Sequence, residues 1–323
     1  MRGNRLLLLA FVLVAVLGFG FVSDAAAEFP EDPIKLTVSY SPGGATDFQA
    51  RIVTMVAQNY FNGQPIVVIN KPGGGGMVGW NWFVKSAKND GYNLVAYNVP
   101  HFIAQSIMYP DKAKYNIRNM EPIANWGTDP AVLVVPKDSP FNSVDDLVKY
   151  AKKNPKKVTV SGAGLYVGHH IAMLQTAKAA GIKMSYIPYK GGVPALLAVI
   201  SGEVKAGYNN LSDAFRSKDR LKILAVADLE RSSFLPDVKT FKELGYDVDN
   251  TSNNRRGVAA PKGTPPEKIK YLADTFEEMF NNKKVAKKMK MAGSGVKVMS
   301  RDELIKEWAK IEASLKDVLK GLQ

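Results

Sequence analysis

The residues best placed to do chemistry lie in a series of glycine-containing turns, each following an apolar run and opening what reads as a helix. The first is Ser41-Pro42-Gly43-Gly44-Ala45-Thr46-Asp47. Glycine adopts backbone angles and permits close approaches that other residues forbid. The first amides of the ensuing helix have no internal acceptor. Together they form a cup of N–H donors suited to a carboxylate or a phosphate. Thr46 can add a hydroxyl, whereas Asp47 is better suited to buttress the turn, since its carboxylate would repel an anion. A second turn, Pro72-Gly73-Gly74-Gly75-Gly76-Met77-Val78-Gly79, follows the same logic. Its Gly74-x-Gly76-x-x-Gly79 spacing matches a dinucleotide fingerprint. A run of glycines satisfies many such patterns, however, and Asp90 precedes the next strand, where a ribose-binding acid should end it. No Gly-Lys-Ser/Thr follows, which excludes a P-loop.

A third turn runs Ser161-Gly162-Ala163-Gly164, then Tyr166, Gly168, His169 and His170. Neighbouring helical residues point about 100° apart, so the two histidines do not converge on one ion. There is no HExxH spacing, and the remaining histidine is His101. His169 is a candidate ligand contact, with a structural or lining role as the alternative; no metal and no cofactor is expected. In a fourth turn, Ser185 to Gly192, Lys190 can reach a carboxylate. Tyr189 and Tyr40 are candidates either for the cleft or for the core. Material for catalysis is scarce: no cysteine, no Gly-x-Ser-x-Gly elbow and few histidines. Carboxylate pairs assembled from distant positions stay open, but binding fits better than turnover.

These turns need strands and helices to hold them. Strands are expected at Ile34–Tyr40, Pro65–Ile69, Tyr92–Tyr97, Ala131–Val135, Val158–Ser161, Met184–Ile187, Val204–Tyr208 and Leu221–Ala227. Helices alternate with them, which predicts an α/β fold with largely parallel sheets covered on both faces. Thr46-Asp47 can cap the first helix. Capping boxes are expected at Ser143/Asp146, Thr264/Glu267 and Ser300/Glu303, the last leading into an apolar stripe of Leu304, Trp308, Ile311, Leu315, Val318 and Leu322. No linker composition marks a boundary. Strands passing between two lobes are expected, with residues 28–125 plus 250–323 in the first lobe and 126–249 in the second.

The start of the chain reads as a leader. Met1, Arg2 and Arg5 precede an apolar run from Leu6 to Val22, and Ala25-Ala26-Ala27 offers a cleavage site. Residues 1–27 are therefore expected to be a signal peptide, leaving a soluble periplasmic protein. The formal charge is +13, and setting aside residues 1–27, which carry two arginines and one aspartate, lowers it to +12. With the lysines dispersed, this reads as diffuse attraction for anions or a merely basic surface, and not as a nucleic-acid footprint.

The ordered set Tyr40-Ser-Pro-Gly-Gly-Ala-Thr-Asp47, Val68-Ile-Asn-Lys-Pro-Gly-Gly-Gly-Gly76, Asp90-Gly-Tyr92, Ser161-Gly-Ala-Gly164, Ile187-Pro-Tyr-Lys-Gly-Gly192, Gly202-Glu-Val204 and Ala260-Pro-Lys-Gly-Thr-Pro265 resembles the periplasmic solute-binding component of the tripartite tricarboxylate transporters. The resemblance implies a two-lobed Venus-flytrap fold and capture of a small carboxylate (di-, tri- or aromatic). Hand-over to large and small membrane permease subunits would follow, by a monomer. It also implies a ligand site built in the first lobe from Tyr40, Gly43, Gly44, Ala45, Thr46, Asp47, Gly75, Gly76, Met77 and Val78. Ser161, Gly164, Tyr166, His169, Tyr189 and Asn209 would complete it from the second. The chain departs from the family pattern at Asn253-Asn-Arg-Arg256, at Tyr166-Val167 with His169-His170, and at Asn209-Asn210, which bears on ligand identity. A ligand-presenting receptor for a sensor, or an enzyme acting on an anionic substrate, are the alternatives.

Overall fold

The computed structural model describes residues 29–320. The expected signal peptide and Leu322 lie outside the described residues. The chain opens with β1 (Ile34–Val38), α1 (Ala45–Thr54), β2 (Ile66–Asn70), α2 (Met77–Ser86), β3 (Asn93–Val99) and α3 (His101–Met108). Here β1 pairs in parallel with both β2 and β3, the arrangement that helical crossovers allow. After β4 (Met120–Asp129) a single residue, Pro130, separates the chain from β5 (Ala131–Pro136), which belongs to a second sheet.

That sheet continues through α4 (Val144–Lys153), β6 (Thr159–Gly162), α5 (Gly168–Ala180), β7 (Ser185–Pro188), α6 (Gly192–Ile200), β8 (Ala206–Asn210), α7 (Leu211–Arg216) and β9 (Leu221–Ala227). The chain then returns as β10 (Asn254–Pro261), α8 (Pro266–Phe280), α9 (Lys283–Met291), β11 (Gly295–Met299) and α10 (Arg301–Leu319). The strand orders are β11-β4-β10-β3-β1-β2 and β7-β6-β8-β5-β9. This is the expected α/β, two-lobed class. The parallel pairs are confined to β1–β3 and β6–β8, whereas β4, β5, β9, β10 and β11 pair antiparallel.

Period-two burial builds the cores. In β5, Leu133 and Val135 face a cluster with Val160, Tyr208 and Phe241, while Val132 and Val134 face Leu196, Val199 and Val226 on the other side. The first sheet packs around Trp80, Tyr97, Phe102, Trp126 and Phe276. Helix α10 docks its apolar stripe there, with Trp308 edge-on to Tyr97 at 5.0 Å and to Phe102 at 4.9 Å.

The caps differ in instructive ways. Ser300 and Glu303 close a full capping box, and the Ser143 hydroxyl accepts from the Asp146 amide at 3.1 Å. Helix α8 instead starts one residue later than Thr264 requires. Pro265 is its extended cap, and the Thr264 hydroxyl donates back to Pro261 O. Helix α1 begins earlier than a Thr46-Asp47 cap would place it, with Gly44 as cap. Asn254 of β10 pairs with Asp129 of β4, so the outgoing and returning chains lie side by side where they cross between sheets.

Candidate ligand-binding site

The turns that follow β1, β6 and β7 meet between the two sheets and line one pocket of about 20 Å³. In α1 the first i→i−4 bond runs from Phe48 N to Gly44 O at 2.9 Å, so the amides of Ala45, Thr46 and Asp47 precede the ladder. Helix α5 repeats this, its first bond being Ile171 N to Val167 O at 3.0 Å; in α6 it is Ala195 N to Gly191 O at 3.3 Å. None of the three caps carries a side-chain hydrogen bond. Gly44, Ala45 and Thr46 of the first sheet therefore face His169, Gly192 and Val193 of the second across the pocket. Each helix start contributes the positive end of its dipole.

Beneath the pocket Arg256 is fully buried. Its Nη1 donates to Asp129 Oδ2 at 2.8 Å and to Gln49 Oε1 at 3.3 Å, and its Nε donates to Thr46 Oγ1 at 3.1 Å. Asp129 also accepts from the Ser212 amide at 3.0 Å and the Ser212 hydroxyl at 2.5 Å. Thr46 Oγ1 accepts from Asn98 Nδ2 at 2.8 Å. With its carboxamide oxygen turned to the guanidinium, Asn254 accepts from Arg256 Nη2 at 2.6 Å. The network ties α1, β4, β10 and α7 together directly below the ligand seat. Charge balance is internal: one buried guanidinium faces one buried carboxylate.

Two histidines complete the walls. His101, the first residue of α3, and His169, the second of α5, stand edge to face with ring centroids 6.4 Å apart. His101 Nδ1 lies 2.6 Å from the Tyr40 hydroxyl, which also donates to Gly75 O at 2.9 Å. His169 Nδ1 accepts from the Ala163 amide at 3.1 Å. Burial first, then the charges of His169 and Arg256, holds His101 well below the ordinary histidine range. Burial likewise pushes His169 down to about 4, with Asn210 partly offsetting it. Both rings are therefore neutral near pH 7.

The sequence profile of the "Tripartite tricarboxylate transporter family receptor" matches residues 50–320. The chain belongs to that family. It is 33% identical over 258 residues to the UPF0065 protein in the gbd 5' region of Cupriavidus necator, covering 79% of this chain and 77% of that one. To the protein BugT of Bordetella pertussis it is 30% identical over 305 residues, covering 93% and 92%. A solved structure of a periplasmic transporter superposes with a TM-score of 0.84 at 28% identity, covering 91% of this chain and 98% of that one.

Within this receptor, the positions expected to form the site divide. Tyr40, Gly44, Ala45, Thr46 and His169 line the pocket. Gly43 and Asp47 do not; the Gly43 amide donates to Asp47 Oδ2 at 2.9 Å, and Asp47 also binds Asn70 and Arg51. The second turn differs from the anion cup expected of it. Left-handed Gly74, Gly75 and Gly76 curl it into a 3-10 turn, so the amides of Gly76, Met77 and Val78 bond back to Gly73 and Gly74. Its Gly75 instead abuts Gly164 of the other lobe. The Ser161 hydroxyl donates to Ala195 O, and the Tyr189 hydroxyl to Glu203. Tyr166 packs on Tyr109 with centroids 5.3 Å apart, and Asn209 is buried outside the pocket lining. Lys190 reaches the seam through its carbonyl, which accepts from the Ser41 hydroxyl.

Ser41, Asn98, His101, Gly192, Asn210 and Asn254 also line the pocket, with Arg256 beneath them. Ser41 and Gly192 belong to the expected glycine turns and Asn210 to a position tied to ligand identity, whereas Asn98 and His101 are not expected there. A usable signal existed at Arg256, a charge at the head of the apolar run Val258-Ala259-Ala260.

Proposed function

We propose that this receptor captures a small di- or tricarboxylate between its lobes and hands it unchanged to a tripartite permease. The carrying observation is that helix starts from both sheets line one pocket, offering unpaired main-chain donors from opposite sides. Ser41, Thr46, Asn98, His101, His169, Asn210 and Asn254 supply the polar groups of the lining, and Tyr40, Ala45, Ala163 and Val193 its apolar surface. So many polar groups around so small a pocket favour short, multiply charged acids over a bulkier aromatic acid.

Closure follows from the same geometry. Only when the lobes meet do both sets of donors reach one ligand, so ligand binding populates the closed form. The division we favour places residues 28–125 and 250–323 in one lobe and 126–249 in the other, hinged where β4 passes into β5 and where β9 returns to β10. Export to the periplasm after cleavage at Ala27 completes the reading.

Purified protein beginning at Glu28 should gain thermal stability with malate, succinate, adipate or citrate, because those ligands bind the folded state alone. Calorimetry on the same acids should give a single site per chain. Tight binding of a neutral sugar, with no response to any acid, would overturn the proposal.

A further inference from the structure

His101 and His169 reach the pocket from opposite lobes, and each buries an Nε2 that has no hydrogen-bond partner among the described residues. A buried polar atom left unpaired is costly unless something else satisfies it. In His169 the tautomer is set: Nδ1 accepts the Ala163 amide, so in the neutral ring the proton sits on Nε2. That N–H is a donor held in the ligand seat. Because the Tyr40 hydroxyl gives its proton to Gly75 O, His101 Nδ1–H donates to that hydroxyl, which leaves Nε2 as a lone pair facing the other lobe beside Gly168.

We infer that His101 and His169 form a specificity-determining pair, in which His169 Nε2–H donates to an acceptor group of the ligand and His101 takes up a proton at Nε2 when an anion is seated between the lobes. This rests on the carboxylate-binding reading above and adds the groups that select the ligand. The third histidine, His170, is set apart: it stacks on Tyr186 at 4.2 Å and accepts the Tyr166 amide.

The charged and titratable surroundings give the direction. Around His101 stand Tyr40 from the end of β1, His169 from α5 and Arg256 from β10. Around His169 stand His101, Asn210 at the start of α7, Arg256, and Asp129 of β4. Asp129 is already engaged with Arg256, so the pair sits in a neutral to positive setting that keeps both rings unprotonated. A carboxylate within about 4–6 Å of an imidazole favours its charged form. Anion entry therefore reverses the local balance, and His101 gains at Nε2 a proton that the free protein lacks. Binding then tightens as pH falls below 7, by roughly three- to tenfold per pH unit for one proton taken up. It levels off once the free protein also protonates.

Calorimetry of malate and citrate binding at pH 5.5, 6.5 and 7.5, in buffers of different ionisation enthalpy, counts the protons. A net uptake approaching one per ligand at pH 6.5 is expected. His101→Gln cannot titrate and should lose the pH dependence, whereas His169→Gln, which keeps an N–H donor, should retain it. Should either variant fold poorly, the wild-type chain gives the same answer. With three histidines in the sequence, NMR can follow each imidazole against pH with and without malate; His101 should titrate higher when ligand is bound, and His170 should not. A flat affinity from pH 5.5 to 7.5 with no proton uptake overturns the inference and leaves carboxylate capture standing. Absence of binding by any acid overturns both.

Discussion

Gly75 and Gly164, one from each lobe, meet so closely that a Cβ on Gly164 would stand 2.6 Å from the Gly75 Cα. Both residues hold positive φ, 67° and 145°. Two glycine turns that read alike as anion cups thus also form a close backbone contact between the two halves.

Gly164→Ala should therefore block full closure. It adds a methyl that meets backbone, which cannot swing aside, and it strains a φ that L-residues rarely adopt. We expect affinity for the cognate acid to fall by about tenfold or more, as 1.4 kcal/mol is tenfold in Kd. Small-angle scattering with saturating ligand should show a larger radius than the parent. Unchanged affinity and radius would mean that the Gly75–Gly164 approach is not needed for binding.

Arg256→Met tests the floor. Removing one partner of a buried ion pair strands the other charge, at a cost of about 3–5 kcal/mol. Asp129 keeps Ser212 and Gln49 as donors, which places the loss toward the lower end. The midpoint of thermal unfolding should drop by about 10 °C. The double variant Arg256→Met with Asp129→Leu should lose less than the two single losses added together.

Acid should destabilise the ligand-free protein through its histidines. His169 and His170 are both pushed down to about 4, mainly by burial, against about 6.5 unfolded. The folded state thus resists protons that the unfolded state accepts. Stability is complete above pH 6.5, falls between pH 6.5 and about 4, and levels below that, with each ring contributing on the order of 3 kcal/mol. Urea midpoints across this range measure it. His170→Gln should flatten part of the slope without touching the pocket.

Asp47→Ala should loosen the first turn. The carboxylate accepts from the Gly43 amide, Asn70 and Arg51, whose bonds hold it below the usual carboxylate range against the opposing effect of burial. Without it the amides of Ala45 and Thr46 lose their fixed aim. Affinity should weaken several-fold with a modest loss of thermal stability, read by calorimetry and melting in parallel.

What could be read in advance was whatever is written locally. Apolar runs located β1, β2, β3 and β5 to β9, and a glycine announced the pocket-lining turns after β1, β6 and β7, but not Asn98, His101 and Asn210 at or just past the ends of β3 and β8. Strands β4 and β10 escaped notice because their apolar residues do not alternate, and β11 because it is a short edge strand with no buried residue. In β10, Asn254, Arg256 and Gly257 are all buried on a central antiparallel strand with register shifts beside it. Apart from Asn254, the partners of Arg256 lie 127 to 210 residues away, so no spacing rule connects them. The second glycine turn misled for a related reason: its composition permits an open cup or a closed 3-10 curl, and only the packing against Tyr40, Gln105 and Gly164 selects the curl.

The buried junction of Arg256, Asp129 and Ser212 sits where the polypeptide changes sheets, and it consists of atoms from both sides. Opening the mouth must leave that junction whole, since parting it would expose a naked charge. A lobe movement of the kind proposed would then be a swing about this axle and not a slide, and exchanging residues at the rim would leave the axle's chemistry intact.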